Sequence, residues 1–529
     1  RLFCCRWVRN KVPAACRDEL YHILRMTGPL LLSRILHYLL PFVVTMFCGR
    51  LGNDVMAGYG LASAAINVTT AATGCGLGLA CDTLVSQQTF GGQNLLRVGV
   101  ILQRGIIILL LFCLPCWGLL INAEAILLCM GQEPEVAVAQ LYMTAFIPAV
   151  PAMFLYNLQV SYLQNQGIIM PQMYTALLAN VANLATNYAF LHWANLGVGS
   201  AAANTLSQIY ICVFLFAYIW WKKLHVNTWG GWSVESLQEW GSYMKLAIPS
   251  LLMVCFEWWV YEFGGFFAML SEDELAAQHA VIMIAFITYM FPLGIQAAAC
   301  ARVGNALGAG DTARALLASK LSLSLASFAL VEGVVLGCTK TVIGHIFTSD
   351  NIARIVSNLM TAYCFLQLFD GLVCVCTGIF LGTGKQRIPA VANFIAYYCV
   401  GLTMSVVLMF VAKLRVLFWL GLLICVVLHS TFYIIVIFRL NWKKMTEESA
   451  DGYICVSTED QDGHAGRPGG REVGRTGGHL STTQLIVRRG LAVLAAVALL
   501  AVGAVAHFLV PLPEFRSAEG NRTAASRIN

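Results

Sequence analysis

A chain of 529 residues that is 58 % hydrophobic and only 11 % charged carries too few polar groups for a soluble globular protein. Its mean hydropathy of +0.72 assigns it to a bilayer, and its formal charge of +6 calls for no nucleic-acid partner.

The basic residues Arg6, Arg9, Lys11, Arg17 and Arg25 precede the first apolar stretch and place segment 1–27 in the cytoplasm. No cleavable leader is read here, so the first span is expected to act as its own start signal. Apolar stretches long enough to cross a bilayer as helices run over 28–48, 55–87, 98–121, 138–163, 172–191, 198–221, 246–270, 276–305, 315–336, 355–381, 390–412 and 416–438, with one more over 490–510. The even loops carry most of the lysines and arginines, whereas two odd loops are acidic, with Glu124, Glu133 and Glu135 in one and Glu272, Asp273 and Glu274 in the other.

The first span includes Arg34 and His37. The second holds Asn67, which either lines a cavity or hydrogen-bonds a neighbouring helix. It ends near Asp82, for which pairing with Arg97 or Arg104 is the modest explanation. The landmarks of the first six spans then return in order. Pro29 recurs as Pro249, Leu77-Gly78 as Leu293-Gly294, the glycine turn 90–94 as 307–311, and the turn before Pro171 as the turn before Pro389, at offsets of 220, 216, 217 and 218. A bundle of six spans has been duplicated. Six is an even number, so the repeats run parallel about an axis along the membrane normal, as in secondary transporters, with the site at or near the cavity between the lobes. The expected fold class is therefore all-α and polytopic: lobes over 28–221 and 246–440, plus a thirteenth helix. In the connecting loop 222–245, Trp229-Gly230-Gly231-Trp232 reads as an interfacial turn. Ser236 and Glu239 have capping-box spacing, so the loop holds either a short in-plane helix or an ordinary exposed linker.

The seventh span carries the costliest residues. Asp at a helix centre costs about 2.5–3.5 kcal/mol on insertion scales, and Glu should be comparable. Glu257 and Glu262 lie within Phe256–Phe263. At about 100° per residue, Glu257, Tyr261, Gly265, Trp258 and Glu262 share one arc of about 140°. Acids beside aromatic faces suit a bulky organic cation, and a carboxyl kept from water can exchange a proton near neutral pH. The plainer alternative is that the acids snorkel or pair with basic groups while the aromatics pack. Asp370 in the tenth span either joins this cavity or is solvated.

Segment 441–489 is polar and glycine-rich and reads as a disordered cytoplasmic linker. Span 490–510 would then put the tail 511–529, with the sequon Asn521-Arg522-Thr523, outside. Most of the nineteen cysteines sit inside apolar spans and read as packing residues. No P-loop is visible, so ATP-driven pumping is not expected and no cofactor or metal is called for. Gly304–Gly310 lacks the Lys-Ser/Thr of a P-loop and reads as a helix end and turn.

Phe47-Cys48-Gly49-Arg50-Leu51-Gly52, Ala80-Cys81-Asp82-Thr83-Leu84, Leu102-Gln103-Arg104, Glu257-Trp258-Trp259 and Arg302–Asp311 resemble the multidrug and toxin extrusion (MATE) family, specifically its vertebrate branch. The resemblance covers roughly residues 20–445, and the extra last span also resembles vertebrate members. It implies a V-shaped two-lobed fold and near-electroneutral exchange of small organic cations for protons. It also implies residence in the apical plasma membrane of excretory epithelium, and the transport unit is expected to be monomeric. Glu257 matches the essential acid of span seven and Glu262 its second acid. Trp258, Tyr261 and Tyr289 match cavity aromatics, Asp370 an acidic position of span ten, and Asn67 a polar position of the first lobe. Three positions depart from the pattern. Met283 stands where an acid is usual, Arg34 where a glutamine is, and Leu381 where an arginine is. The nearest rival reading is a lipid-linked-sugar flippase of the same superfamily, and a second is a transport-impaired homologue.

Overall fold

The computed structural model describes residues 13–51, 53–91, 95–129, 136–193, 196–267, 272–347, 350–410, 418–449 and 480–511, and the regular structure among them is helical. The first half contains α1 (Ala14–Leu51), α2 (Asn53–Ile66), α3 (Ala72–Gly91), α4 (Leu96–Ile121), α5 (Ala123–Cys129), α6 (Val136–Ala145), α7 (Ala149–Gln164), α8 (Met170–Trp193) and α9 (Leu196–Trp221). The second contains α10 (Trp240–Phe267), α11 (Glu272–Gly308), α12 (Thr312–Leu325), α13 (Phe328–Phe347), α14 (Asp350–Thr383), α15 (Arg387–Asn393), α16 (Thr403–Phe410) and α17 (Phe418–Arg439), and α18 (Thr482–Leu509) follows.

Among the described residues, ten helices are long and apolar enough to cross a bilayer, and one bent pair raises the number to eleven. The sequence reading counted thirteen. The bent pair is the fourth expected span, α6 and α7, which meet at 57° just before Pro148 and Pro151. A proline lacks the N–H that would continue the ladder. The fifth, α8, is a helix of 24 residues whose inner face is polar. Asn180 donates to the Leu36 carbonyl at 2.8 Å and Asn183 to the Leu40 carbonyl at 3.2 Å, while Leu177, Leu178, Val181 and Leu184 face outward. Its low hydropathy thus reflects amide side chains that bond α1, a use of polar residues common between membrane helices. The eleventh, α15 to α16, is interrupted by a π-helical stretch over Phe394–Leu402.

The repeat landmarks appear as matching backbone turns. Gly167 and Gly384, 217 residues apart, both adopt left-handed conformations with φ of 81° and 78°. Glycine takes this conformation without the penalty of a Cβ. Helix α11 stops at Gly308, Gly310 turns with φ 77°, and the Asp311 carboxylate accepts from the Arg314 N–H at 3.1 Å to start α12. Gly304–Gly310 is therefore a helix end and turn, as its composition suggested. The counterpart turn at 90–94 lies mostly outside the described residues.

Two expected pairings are corrected. Asp82 pairs with neither Arg97 nor Arg104; it accepts from Asn165 Nδ2 at 2.8 Å, because the turn after α7 brings that amide under α3. Arg97 instead binds Glu239 at 3.1 Å, and Arg104 donates to the Gln238 carbonyl at 2.8 Å. Glu239 is thereby drawn away from Ser236, whose hydroxyl donates to the Ser233 carbonyl. The capping box is absent there, and the in-plane helix shrinks to the 3-10 turn Val234–Leu237. Trp229 and Trp232 do form a turn, packed edge to face at 5.3 Å.

The last helix begins eight residues before the expected span, at Thr482. Its start is fixed by a capping box in which Ser481 and Gln484 bond each other's backbone at 3.4 Å. It lies against α4 through a glycine notch: a Cβ on Gly503 would sit 3.0 Å from the Gly118 Cα. The expected linker 441–489 is correspondingly shorter, since 442–449 is also helical. Residues 450–479, and the sequon at 521–523, lie outside the described residues.

Each lobe has its own core. Tyr142, Phe154 and Tyr243 anchor the first; Val260, Phe380, Tyr397 and Tyr433 anchor the second. Between the lobes, Ile23, Met26 and Leu30 of α1 pack on Ala297, Ala298 and Ala301 of α11. Several polar contacts of this seam gather at one end. Arg302 grips Glu19 with two bonds of 2.8 and 2.7 Å. Thr83 donates to the Leu381 carbonyl at 2.6 Å, Gln87 donates to the Gly382 carbonyl at 3.1 Å, and Gln386 donates to Thr83. The α3–α10 crossing is closer still, because a Cβ on Gly76 would lie 2.6 Å from the Leu251 Cα. A backbone atom cannot rotate away, so Gly76→Ala is expected to lower stability by about 1–3 kcal/mol. A thermal-shift measurement in detergent checks this; an unchanged Tm would contradict the close crossing.

Candidate functional site

Helix α10 presents Glu257 to the interior of the second lobe. Its Oε1 accepts a hydrogen bond from the Tyr289 hydroxyl of α11 at 2.9 Å. Asp370 of α14 lies near enough for the two charges to act on each other, and both act on Tyr261 and Tyr397. The Asp370 Oδ1 is buried and has no hydrogen-bond partner. Among the described residues no lysine or arginine forms an ion pair with either acid. The structure therefore brings together Glu257, Tyr261, Tyr289 and Asp370, and it disfavours the alternative that these acids are neutralised by buried basic groups.

Two like charges in one apolar interior without a counter-ion repel each other and are costly to keep ionised together. The arrangement has room in its charge balance for a cation, either a proton or an organic ion. Tyr289 holds Glu257 in one orientation while leaving its second oxygen available, and a hydrogen bond to a charged group contributes about 1.5–3 kcal/mol.

The other predicted residues are placed differently. Trp258 is 37 % exposed. Its neighbour Trp259 turns toward the first lobe and donates its indole N–H to the Val68 carbonyl at 2.9 Å. That carbonyl lies in a π-helical stretch, Asn67–Ala71, that joins α2 to α3. Such stretches are common at functional sites in helices. Asn67 opens this stretch with its side chain exposed, and among the described residues it makes no side-chain hydrogen bond to a neighbouring helix. Met283 is also exposed, at 37 %. Leu381 is buried in the cluster between the lobes, where its carbonyl accepts from Thr83. Glu262 lies on α10, but its side chain falls outside the described residues.

Sequence reasoning missed several members of the site. Tyr397 is buried with its hydroxyl unpartnered, and its ring meets that of His429 at 5.2 Å. Gln296 accepts from the Cys374 thiol at 2.9 Å one turn along α14 from Asp370. These residues are ordinary membrane-helix types, and nothing in their spacing marks them. Trp259 stood beside Glu257 in the stretch singled out, but its bond is to a carbonyl 191 residues away, which no local pattern reveals.

The MatE family model matches residues 29–189 and again 249–407, so its two copies start 220 residues apart, the offset of Pro29 and Pro249. The chain is 47 % identical to multidrug and toxin extrusion protein 1 of Danio rerio, over 95 % of this chain and 92 % of that one. It is 43 % identical to the Homo sapiens protein of the same name, over 94 % and 95 %. Among solved structures, the eukaryotic MATE transporter AtDTX14 superposes with a TM-score of 0.79 at 24 % identity, covering 83 % of this chain and 99 % of that one.

Proposed function

The chain belongs to the MatE family and is a multi-pass membrane transporter of the multidrug and toxin extrusion type, and from that premise we propose that it exports small organic cations in exchange for protons. The observation that carries the reading is the pair Glu257 and Asp370, uncompensated by any described basic ion pair, with Glu257 held by Tyr289. In this mechanism the acids bind either cation or proton. With the cation bound, the lobes reorient and open to the proton-rich side. Protonation of Glu257 then discharges the cation, and the protonated site returns. The lobe rearrangement separates the end that carries Glu19 and Arg302, which faces the cytoplasm in this reading.

Glu262, Trp258, Tyr261, Tyr289 and Asn67 serve this site as a second acid, as aromatic faces for an organic cation, and as a polar group of the first lobe. The protein acts as a monomer in the plasma membrane, on the apical face of epithelium, with its N-terminus inside and its C-terminus outside. The flippase alternative calls for several basic groups to hold phosphate, and the interior acids argue against it.

Proteoliposomes supply the test. A fluorescent organic cation should accumulate when the lumen is acidic and the sodium concentrations are equal. Accumulation that follows a sodium gradient and ignores pH would overturn the proton coupling.

A further inference from the structure

Arg34 of α1 is a basic residue within the first membrane span, and its level along the helix is fixed by two contacts between the lobes. At about 100° per residue, Thr27, Leu31, Arg34 and Tyr38 fall on one stripe of α1 about 60° wide. Near the start of that stripe, Gly294 of α11 meets the Thr27 carbonyl and the Leu31 Cβ, at 3.3 and 3.4 Å from where a glycine Cβ would stand. Farther along, Tyr38 and Phe286 of α11 approach ring to ring at 6.2 Å. The two helices run antiparallel, so Arg34, between these contacts, is level with Tyr289 and Met290. Tyr289 is the residue that bonds Glu257.

Two thiols report the same juxtaposition. Cys75 of α3 and Cys374 of α14, from opposite lobes, each lie within electrostatic reach of both Arg34 and Glu257. Arg34 also acts on Asp82 and on Tyr156 of the first lobe, yet among the described residues it forms neither an ion pair nor a hydrogen bond. It is half-buried. A guanidinium stays protonated and presents a planar fork of donors that matches a carboxylate. One wall of the interior thus carries a fixed cation that reaches Asp82 only through its field, and the facing wall, at the same depth, carries acids; among the described residues none of them forms an ion pair.

Resting on the transport reading above, we infer that the substrate class this charge arrangement fits best is zwitterionic: an organic ammonium whose positive end meets Glu257 and Asp370 and whose carboxylate meets Arg34. A plain cation gains the first contact but is repelled by Arg34. A molecule carrying both charges gains at each wall, and its charges need no counter-ion from solvent. Arg34 sets specificity here and leaves the coupling acids to their role.

The test uses matched pairs of probes, a quaternary ammonium bearing an alkyl ester and the same compound bearing the free carboxylate. Both are measured as pH-driven uptake into proteoliposomes and as direct binding to the purified full chain in detergent. The parent protein should take the carboxylate form with a KM roughly tenfold below that of the ester, since a tenfold ratio needs only a modest Coulomb difference. Arg34→Gln should abolish or reverse that preference by raising KM for the carboxylate form and lowering it for the ester, and Arg34→Lys should keep part of it. Equal KM values for the two probes in the parent, or a preference untouched in Arg34→Gln, would overturn the zwitterion subsite while leaving cation transport standing. Arg34-dependent binding of the carboxylate form without pH-driven uptake of either probe would have the opposite meaning: the subsite stands and the antiport reading falls.

Discussion

Replacing Glu257 with glutamine is expected to reduce pH-driven cation exchange by roughly a hundredfold or more while leaving the protein folded. The amide keeps the shape of the side chain and still accepts from Tyr289, whose hydroxyl lies 2.9 Å from Oε1, but it cannot ionise. A carboxylate and an ammonium about 4 Å apart attract by about 4 kcal/mol at an effective dielectric near 20, which is about a thousandfold in affinity. Losing that attraction removes both the binding of the cation and the protonation step that releases it. Asp370 remains and supplies a residual charge, so weak binding without coupled exchange is the expected remnant. Uptake assays on equal amounts of parent and Glu257→Gln protein, with elution profile and Tm as controls for folding, decide the case. Undiminished pH-driven flux in the variant would remove Glu257 from the mechanism.

A second large effect is expected at the seam between the lobes. Glu19 and Arg302 bridge α1 and α11 with two bonds, and their side chains are only 5 % and 17 % exposed. Breaking a buried pair by neutralising one partner costs about 3–5 kcal/mol, because the other charge is left without compensation. Each lobe has its own core, so in Glu19→Gln this cost should fall on lobe closure rather than on folding. A shift of that size changes a two-state ratio by a factor of roughly a hundred to several thousand. Cys300 is 2 % exposed, sits in the cluster between the lobes, and lies two residues before Arg302. In a background whose other cysteines are replaced by serine or alanine, Cys300 should react with a maleimide at least about tenfold faster in Glu19→Gln than in the otherwise identical parent. The exchange Glu19→Arg with Arg302→Glu should restore slow labelling. Equal labelling rates in parent and Glu19→Gln would show that the pair does not hold the closed arrangement.

The fold was legible where the chain repeats itself. Pro29 and Pro249 announce the duplication at the same offset as the two stretches matched by the family model, and Gly167 and Gly384 carry it into identical backbone turns. Glu257 was legible because a charge inside an apolar helix needs a reason. What stayed hidden was set by contacts distant in sequence. Helix α8 looks weakly apolar because Asn180 and Asn183 spend their amides on α1 carbonyls, a use that a hydropathy average scores as a defect. Asp82 suggested an arginine as partner, yet the turn after α7 delivered Asn165, and the arginines bonded the loop between the lobes instead. Trp259 could be told from Trp258 only once the carbonyl of Val68 was seen in its π-helical stretch.

Coupling itself is tested most directly by recording both ions in one vesicle population. Proteoliposomes loaded with a pH-reporting dye are acidified inside, held at zero membrane potential and equal sodium, and then given an organic cation outside. The lumen should alkalinise in step with cation entry in the parent protein, and neither flux should appear in Glu257→Gln. Cation entry with an unchanged luminal pH would contradict the coupling.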